Sequence, residues 1–177
     1  MMNNNKKNQL FRKKYRIPSA RLQCWDYRSA DDYFITICTK NHYCYFGQVI
    51  DGRVILNDFG TYAQECMMNI NKYCDYANVS NYVIMPNHVH SIIKLVGNNK
   101  HQEANRFGPL LKKSLSSLVN HYKGRVTKFA KANNVKGWAW HPRFHDHIIR
   151  NHVDYENCWN YIQNNPKKWF EDRFYKK

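Results

Sequence analysis

Acidic residues are scarce in this chain. Only 13 Asp and Glu stand against 28 Lys and Arg in 177 residues, leaving a formal net charge of +15. That imbalance favours a polyanionic partner, with nucleic acid ahead of a membrane surface. Long apolar runs are missing as well. None approaches the roughly 20 residues that cross a bilayer, so neither a spanning helix nor a membrane partner is expected. The N-terminus is polar and basic and lacks the apolar stretch of a signal peptide. The six cysteines, at positions 24, 38, 44, 66, 74 and 158, form no C-x-x-C pair and no zinc-finger spacing. A disulfide framework is therefore set aside, and a reducing, cytoplasmic setting is expected, nucleoid-associated if the partner is DNA. Repeats and low-complexity stretches are absent beyond the Asn/Lys-rich start.

What the chain does contain is one domain's worth of patterned sequence behind a basic arm. Residues 1–20 hold Arg12, Lys13, Lys14 and Arg16 and no acidic residue; the first is Asp26. A solvated tail is the ordinary reading of such a run, but in a DNA-handling protein Arg12 onward would lie along phosphates. Residues 21–177 read as a single domain. Tyr33 to Thr39 is β-branched and aromatic, a strand. Phe46 to Leu56 reads as a hairpin turned at Asp51-Gly52. Asn57 or Asp58 caps a helix to about Tyr73, and strands follow at 79–85 and 88–96 around Pro86-Asn87.

A loop over 97–108 leads to a long amphipathic helix from Pro109 to about Ala132, with Leu111, Leu115, Leu118, Val119 and Tyr122 as its stripe. Its other face would carry Lys112, Lys113, Lys123, Arg125, Lys128 and Lys131. The lack of any acidic residue from Pro109 to Ala132 points that face at an anion such as DNA. A strand over 143–150 and a final helix after Asp154, ending near Pro166, complete the order. Leaving out the hairpin, the order β-α-β-β-α-β-α predicts an α+β, ferredoxin-like antiparallel sheet with an extra C-terminal helix. The chain has 13 Tyr, 9 Phe and 5 Trp. Most are expected to pack, including Trp138, Trp140 and Trp159.

Chemistry concentrates in two segments. In Met85-Pro86-Asn87-His88-Val89-His90 two imidazoles lie two residues apart on a strand and so share a face, half of a metal site. In Tyr161-Ile162-Gln163-Asn164-Asn165-Pro166, Tyr161 and Asn165 lie four apart on one side of a helix. A phenol is a poor nucleophile near neutral pH, with an ordinary pKa of about 10. A divalent cation held by His88, His90 and the Asn165 amide would stabilise a phenolate and polarise a phosphoryl oxygen together. That combination suits phosphoryl transfer through a phosphotyrosine. Lys167 and Lys168, just beyond, stand either in solvent or on phosphate.

These segments carry a family resemblance. Tyr82 to His90, His147-Ile148-Ile149-Arg150-Asn151 and Tyr161 to Trp169 resemble the REP-associated tyrosine transposases, relatives of the single-strand insertion-sequence transposases with one catalytic tyrosine and a His-hydrophobic-His (HUH) motif. Arg21-Leu22, Asp26-Tyr27, Tyr33 to Asn41, Asp51-Gly52 and Leu56-Asn57 are similar too, so the resemblance covers about residues 21–172. It implies metal-dependent cleavage and joining of single-stranded DNA beside a hairpin, with Tyr161 as the nucleophile that retains a 5′-phosphate. It implies metal ligation by His88, His90 and Asn165, with magnesium or manganese as the ion. Ligand softness alone would favour manganese or zinc. It also implies that one chain acts as a monomer, whereas the insertion-sequence relatives are dimers.

His145 departs from the pattern, adding a second His-x-His with His147 to which the resemblance gives no role. Two rival readings remain open on the sequence: a non-catalytic nucleic-acid-binding domain of the same topology, and a nuclease that uses metal-activated water.

Overall fold

Alternation of side chains sets the architecture. The computed structural model describes residues 25–96 and 112–175. In chain order these form β1 (Asp32–Cys38), β2 (Gly47–Ile50), β3 (Arg53–Leu56), α1 (Asp58–Met68), β4 (Ala77–Ile84), β5 (His88–Leu95), α2 (Leu115–Ala132), β6 (His145–Ile149) and α3 (His152–Asn164). Four strands make an antiparallel sheet in the order β4-β5-β1-β6, and β2 pairs with β3 in a separate hairpin. With the hairpin left out, this is the split βαβ order expected from the sequence.

Residues directly opposite one another in the ladder share a face. Tyr33, Ile35 and Ile37 pair with Ile93, Ser91 and Val89, and this face packs with α1 and α2 into the main core around Leu118, Val119, Tyr122, Met67 and Ile70. The opposite face presents Phe34, Thr36 and Cys38 beside Ile92, His90 and His88. There a smaller cluster of Ile92, Ile149, Cys158 and Ile162 seats α3. The sheet therefore separates a bulk core from a thinner layer whose remaining space holds the two histidines.

Local signals explain most boundaries. Asp51 and Gly52 take φ values of 49° and 69°, as a two-residue hairpin turn with both central residues left-handed requires. Asn57 caps α1 by accepting from the Gly60 N–H at 2.9 Å. That helix stops at Met68, and Ile70–Lys72 continue as a single 3-10 turn.

Two helix starts differ from the sequence expectation. The second helix begins at Leu115, because Ser114 supplies the cap and accepts from the Ser117 N–H. Lys112 and Lys113 thus precede the helix, and Lys113 has a φ of 57°. The last helix is capped by Asn151, which accepts from the Asp154 N–H. Asp154 therefore sits within the first turn. Pro109, Leu111, the 97–108 loop, Arg21-Leu22 and the basic arm with Arg12, Lys13, Lys14 and Arg16 lie outside the described residues. Cys38, Cys44, Cys66, Cys74 and Cys158 are free thiols, and no helix among the described residues is long and apolar enough to cross a membrane.

Gly60 shows how closely the hairpin is held to α1. A Cβ at this position would stand 2.0 Å from the Phe46 carbonyl oxygen, which is backbone and has little freedom to yield. Gly60→Ala should therefore lower the unfolding free energy by about 1–3 kcal/mol in denaturant titration, as overpacking does. Helix propensity alone would give a gain of up to about 1 kcal/mol, and a stabilised variant would show that the contact is loose.

Candidate active site

The site is assembled from β5, the turn before it, α3 and the segment that follows α3. His88 and His90 both point to the α3 face and are essentially inaccessible, at 0 % and 1 % exposure. Their rings lie 4.5 Å apart, centroid to centroid. Phe34 stacks on His90 at 5.2 Å, and Tyr161 meets it edge-on at 5.1 Å.

Asn87 decides the protonation of His88. Its amide nitrogen donates to the carbonyls of His42 and Phe174, at 2.9 and 2.8 Å, so the amide oxygen is the atom facing His88 Nδ1 at 2.8 Å. An amide oxygen only accepts, so His88 carries its proton on Nδ1 and turns a bare Nε2 lone pair into the site. On His90, Nδ1 lies 2.9 Å from the Thr36 hydroxyl and Nε2 again has no partner. This is the arrangement that orients metal-ligating imidazoles elsewhere.

From α3 come Tyr161 and Asn165. Tyr161 is 43 % exposed, whereas Asn165 is buried at 3 %. Asn165 is the C-terminal cap and keeps helical dihedrals (φ −58°, ψ −43°), so its amide stays on the Tyr161 side before Pro166 ends the helix. Its amide nitrogen donates to Asp172 at 2.7 Å, and its oxygen has no partner. Three buried atoms, His88 Nε2, His90 Nε2 and Asn165 Oδ1, thus have no hydrogen-bond partner, and with the His90 proton on Nδ1 toward the Thr36 hydroxyl all three are acceptors. Buried polar atoms are ordinarily satisfied, and a group of acceptors with no donor among them fits a cation.

Electrostatics agrees with that reading. Burial pushes both histidines below their ordinary pKa. For His88 the Asp172 charge and the Asn165 amide oppose the shift; for His90 the neighbouring His88 deepens it. Both rings are therefore in the neutral, ligating form at neutral pH. The Tyr161 phenol is pushed up, first by burial and then by the Asp172 charge, with Arg173 and Asn165 opposing. By itself the phenol holds its proton, so activation has to come from something bound beside it.

Beyond Lys168 the sequence pointed to no site residue. Trp169 and Phe174 are buried, with ring centroids 6.0 and 4.8 Å from that of His88. Asp172 offers a carboxylate oxygen within 4.8 Å of a ligand nitrogen on each of His88 and His90. The readable signal was a run of aromatics directly after the helix, too dense for a solvated tail. A cavity of about 430 Å³ opens beside Tyr161, lined in part by Asn157, Asn160, Asn164, Lys168 and Arg173.

The basic residues assigned to DNA fall elsewhere. Because α2 covers the other face of the sheet, Arg125 and Lys128 belong to the layer away from Tyr161, and Lys123 stands near Cys38. Lys123 donates to the carbonyls of His141 and Arg143, Arg125 lies 4.5 Å over the Tyr73 ring, and Lys113 pairs with Asp75 at 3.2 Å. Lys112 and Lys128 are exposed. Trp138 and Trp140 pack against the core, but Trp159 is 37 % exposed and stacks on Tyr155. His145 is exposed on the edge strand, and His147 is bound to both oxygens of Asp154 at 2.9 Å.

The depressed histidine pKa values predict a pH dependence for the metal-free protein. Below the unfolded-state value of about 6.5, the unfolded chain takes up protons that the buried pair refuses. The stability tied to the neutral pair is complete above that pH and falls as pH drops toward the folded values. Denaturant titrations at pH 7.5 and 5 should show a loss that is smaller in the double variant His88→Gln/His90→Gln. An equal loss in both proteins would show that the pair is not the source.

No family model matches the chain. An uncharacterized protein of Haemophilus influenzae is 38% identical over 166 residues, spanning 89% of this chain and 92% of its own length. Among solved structures, a REP-associated tyrosine transposase bound to a REP hairpin superposes with a TM-score of 0.60 at 22% identity, over 86% of this chain and 74% of that one. The chain belongs to one family with the Haemophilus influenzae protein, and its fold is that of the REP-associated tyrosine transposase.

Proposed function

We propose that this protein is a metal-dependent, transposase-like endonuclease and strand transferase that cleaves single-stranded DNA beside a hairpin through a 5′-phosphotyrosine. The observation that carries the proposal is the set of three donor-less acceptor atoms beside a half-exposed tyrosine. The fold shared with a transposase that is itself bound to a REP hairpin supports the DNA class of the substrate.

His88, His90 and Asn165 would hold a divalent ion, magnesium or manganese, which when bound supplies Lewis acidity to a phosphoryl oxygen and to the phenol. Tyr161 Oη forms a bond to phosphorus, and the bond from phosphorus to the 3′ oxygen breaks. The phenol loses its proton, and the departing 3′ oxygen gains one. The 5′-phosphate remains on Tyr161, and attack by a 3′-hydroxyl in the reverse sense rejoins a strand. Asn87 and Thr36 hold the imidazoles in their ligating orientation. Lys168 and Arg173, lining the cavity next to Tyr161, offer counter-charge to the backbone on either side of the scissile phosphate.

Tyr161 and the histidine pair meet within one chain, which supports action as a monomer. In this reading residues 21–177 are one catalytic domain and residues 1–20 an arm along phosphates. Arg12, Lys13, Lys14 and Arg16 of the arm, with Lys112 and Lys128, grip DNA away from the cleavage point. A hollow lined by Lys123, Gly124, Thr127, Lys128 and Lys131 on α2 offers a second stretch of phosphate surface for the hairpin stem. Lys113 and Arg125 would join it only by leaving Asp75 and the Tyr73 ring, and the Lys123 ammonium would turn to phosphate only by leaving the His141 and Arg143 carbonyls.

Tyr161→Phe should reduce strand cleavage by at least about 10³-fold while leaving hairpin binding nearly unchanged, since one exposed oxygen is lost. His88→Ala and His90→Ala should each abolish metal-dependent cleavage, and Asn165→Ala should weaken it less, a neutral amide being the poorer donor. Full cleavage by the phenylalanine variant would promote the water-nuclease reading.

The arm predicts a second measurement. Truncation before Leu22 should flatten the fall of DNA affinity with salt, because each neutralised phosphate releases counterions. Preference for a hairpin with an adjoining single strand should survive. Equal salt slopes for the full and truncated proteins would reduce the arm to a solvated tail.

A further inference from the structure

His88, His90 and Asn165 alone make an incomplete donor set for a dication. Two imidazoles and an amide are all neutral, and they sit in a chain of net charge +15 with Arg173 adjacent. A dication placed there would add two positive charges with no anion among its ligands. The residue that changes this balance is Asp172, delivered by the 3-10 turn Trp169–Glu171 that follows α3.

We infer that Asp172 is a direct fourth ligand of the metal, so that the segment carrying it is built into the ion site. The inference rests on the metal-dependent reading above. Its donor geometry is set by Asp172 and the two histidines, with the Tyr161 phenol as a neighbour of the same carboxylate. A carboxylate oxygen of Asp172 and one ring nitrogen each of His88 and His90 all lie within 4.8 Å of one another. Donors that share one ion at about 2.0–2.2 Å can stand no more than about 4.4 Å apart. Adjustment of a few tenths of an ångström is enough to close the set.

The carboxylate is also held in place for this role. Oδ2 accepts from the Asn165 amide nitrogen and Oδ1 from the Phe174 N–H, each at 2.7 Å. Those two bonds use about half of the four lone-pair sites of a carboxylate. Among the described residues no lysine or arginine forms an ion pair with Asp172. The same hydrogen bond turns Asn165 so that its oxygen, rather than its nitrogen, is the free atom. Asp172 thus orients one ligand and adds another. A set of two nitrogens and two oxygens, one of them anionic, suits manganese.

Binding of Mn²⁺ alone to the full-length protein, followed by the loss of the free-ion electron paramagnetic resonance signal and by calorimetry, tests the inference without reference to cleavage. The wild type should bind one ion, and Asp172→Asn should bind it at least tenfold more weakly. Asp172→Cys, loaded with Cd²⁺, should show an ultraviolet thiolate-to-cadmium charge-transfer band above that of the wild type, which reports direct contact.

Equal Mn²⁺ affinity in wild type and Asp172→Asn would overturn the inference and leave the His88–His90–Asn165 site standing. Weakened binding without the cadmium band would also overturn it, assigning Asp172 to orienting Asn165. No binding by the wild type would overturn the metal-dependent reading itself.

Discussion

The structure depends on the burial of two neutral imidazoles whose Nε2 atoms face each other's neighbourhood with no donor to meet them. A buried acceptor without a hydrogen bond costs about 1–3 kcal/mol, and here three such atoms converge. The fold accepts that cost in the layer between the sheet and α3, while the other face of the sheet is filled by an apolar core. Stability and chemistry are thus assigned to opposite faces of one sheet.

Everything around the pair serves to keep it in this state. Strand alternation sends both rings to the same side, and Phe34 and Tyr161 flank the His90 ring. Asn87, fixed by two carbonyls from distant parts of the chain, dictates which nitrogen of His88 is bare. The segment that bears Trp169, Asp172 and Phe174 closes over His88. One of the carbonyls that fixes Asn87 belongs to Phe174, so the last described turn of the chain and the bare nitrogen of His88 are coupled through a single amide.

The parts legible in the sequence were those governed by local periodicity. The shared face of His88 and His90 follows from a spacing of two, the shared side of Tyr161 and Asn165 from a spacing of four, and the hairpin from Asp51-Gly52. Helix starts were misplaced where several capping residues competed: Ser114 rather than the region of Pro109, and Asn151 rather than Asp154, whose carboxylate is taken by His147. Asn87 looked like an ordinary turn residue because its three partners are invisible to periodicity. Asp172 was missed for the same reason, since what places it beside β5 is tertiary packing of Trp169 and Phe174. The charge on α2 was read correctly as one-signed, but its side of the sheet is set by the apolar stripe, and that side faces away from Tyr161.

In the proposed reaction a strand is held covalently on Tyr161. Its most direct test is to incubate the full-length protein with a hairpin carrying a single-stranded flank and Mn²⁺, denature, digest, and locate any nucleotide-bearing peptide by mass spectrometry. The expected product is a nucleotide joined through its 5′-phosphate to the peptide that contains Tyr161. Cleaved DNA with a free 5′ end and no adduct, or an adduct on another residue, would contradict it.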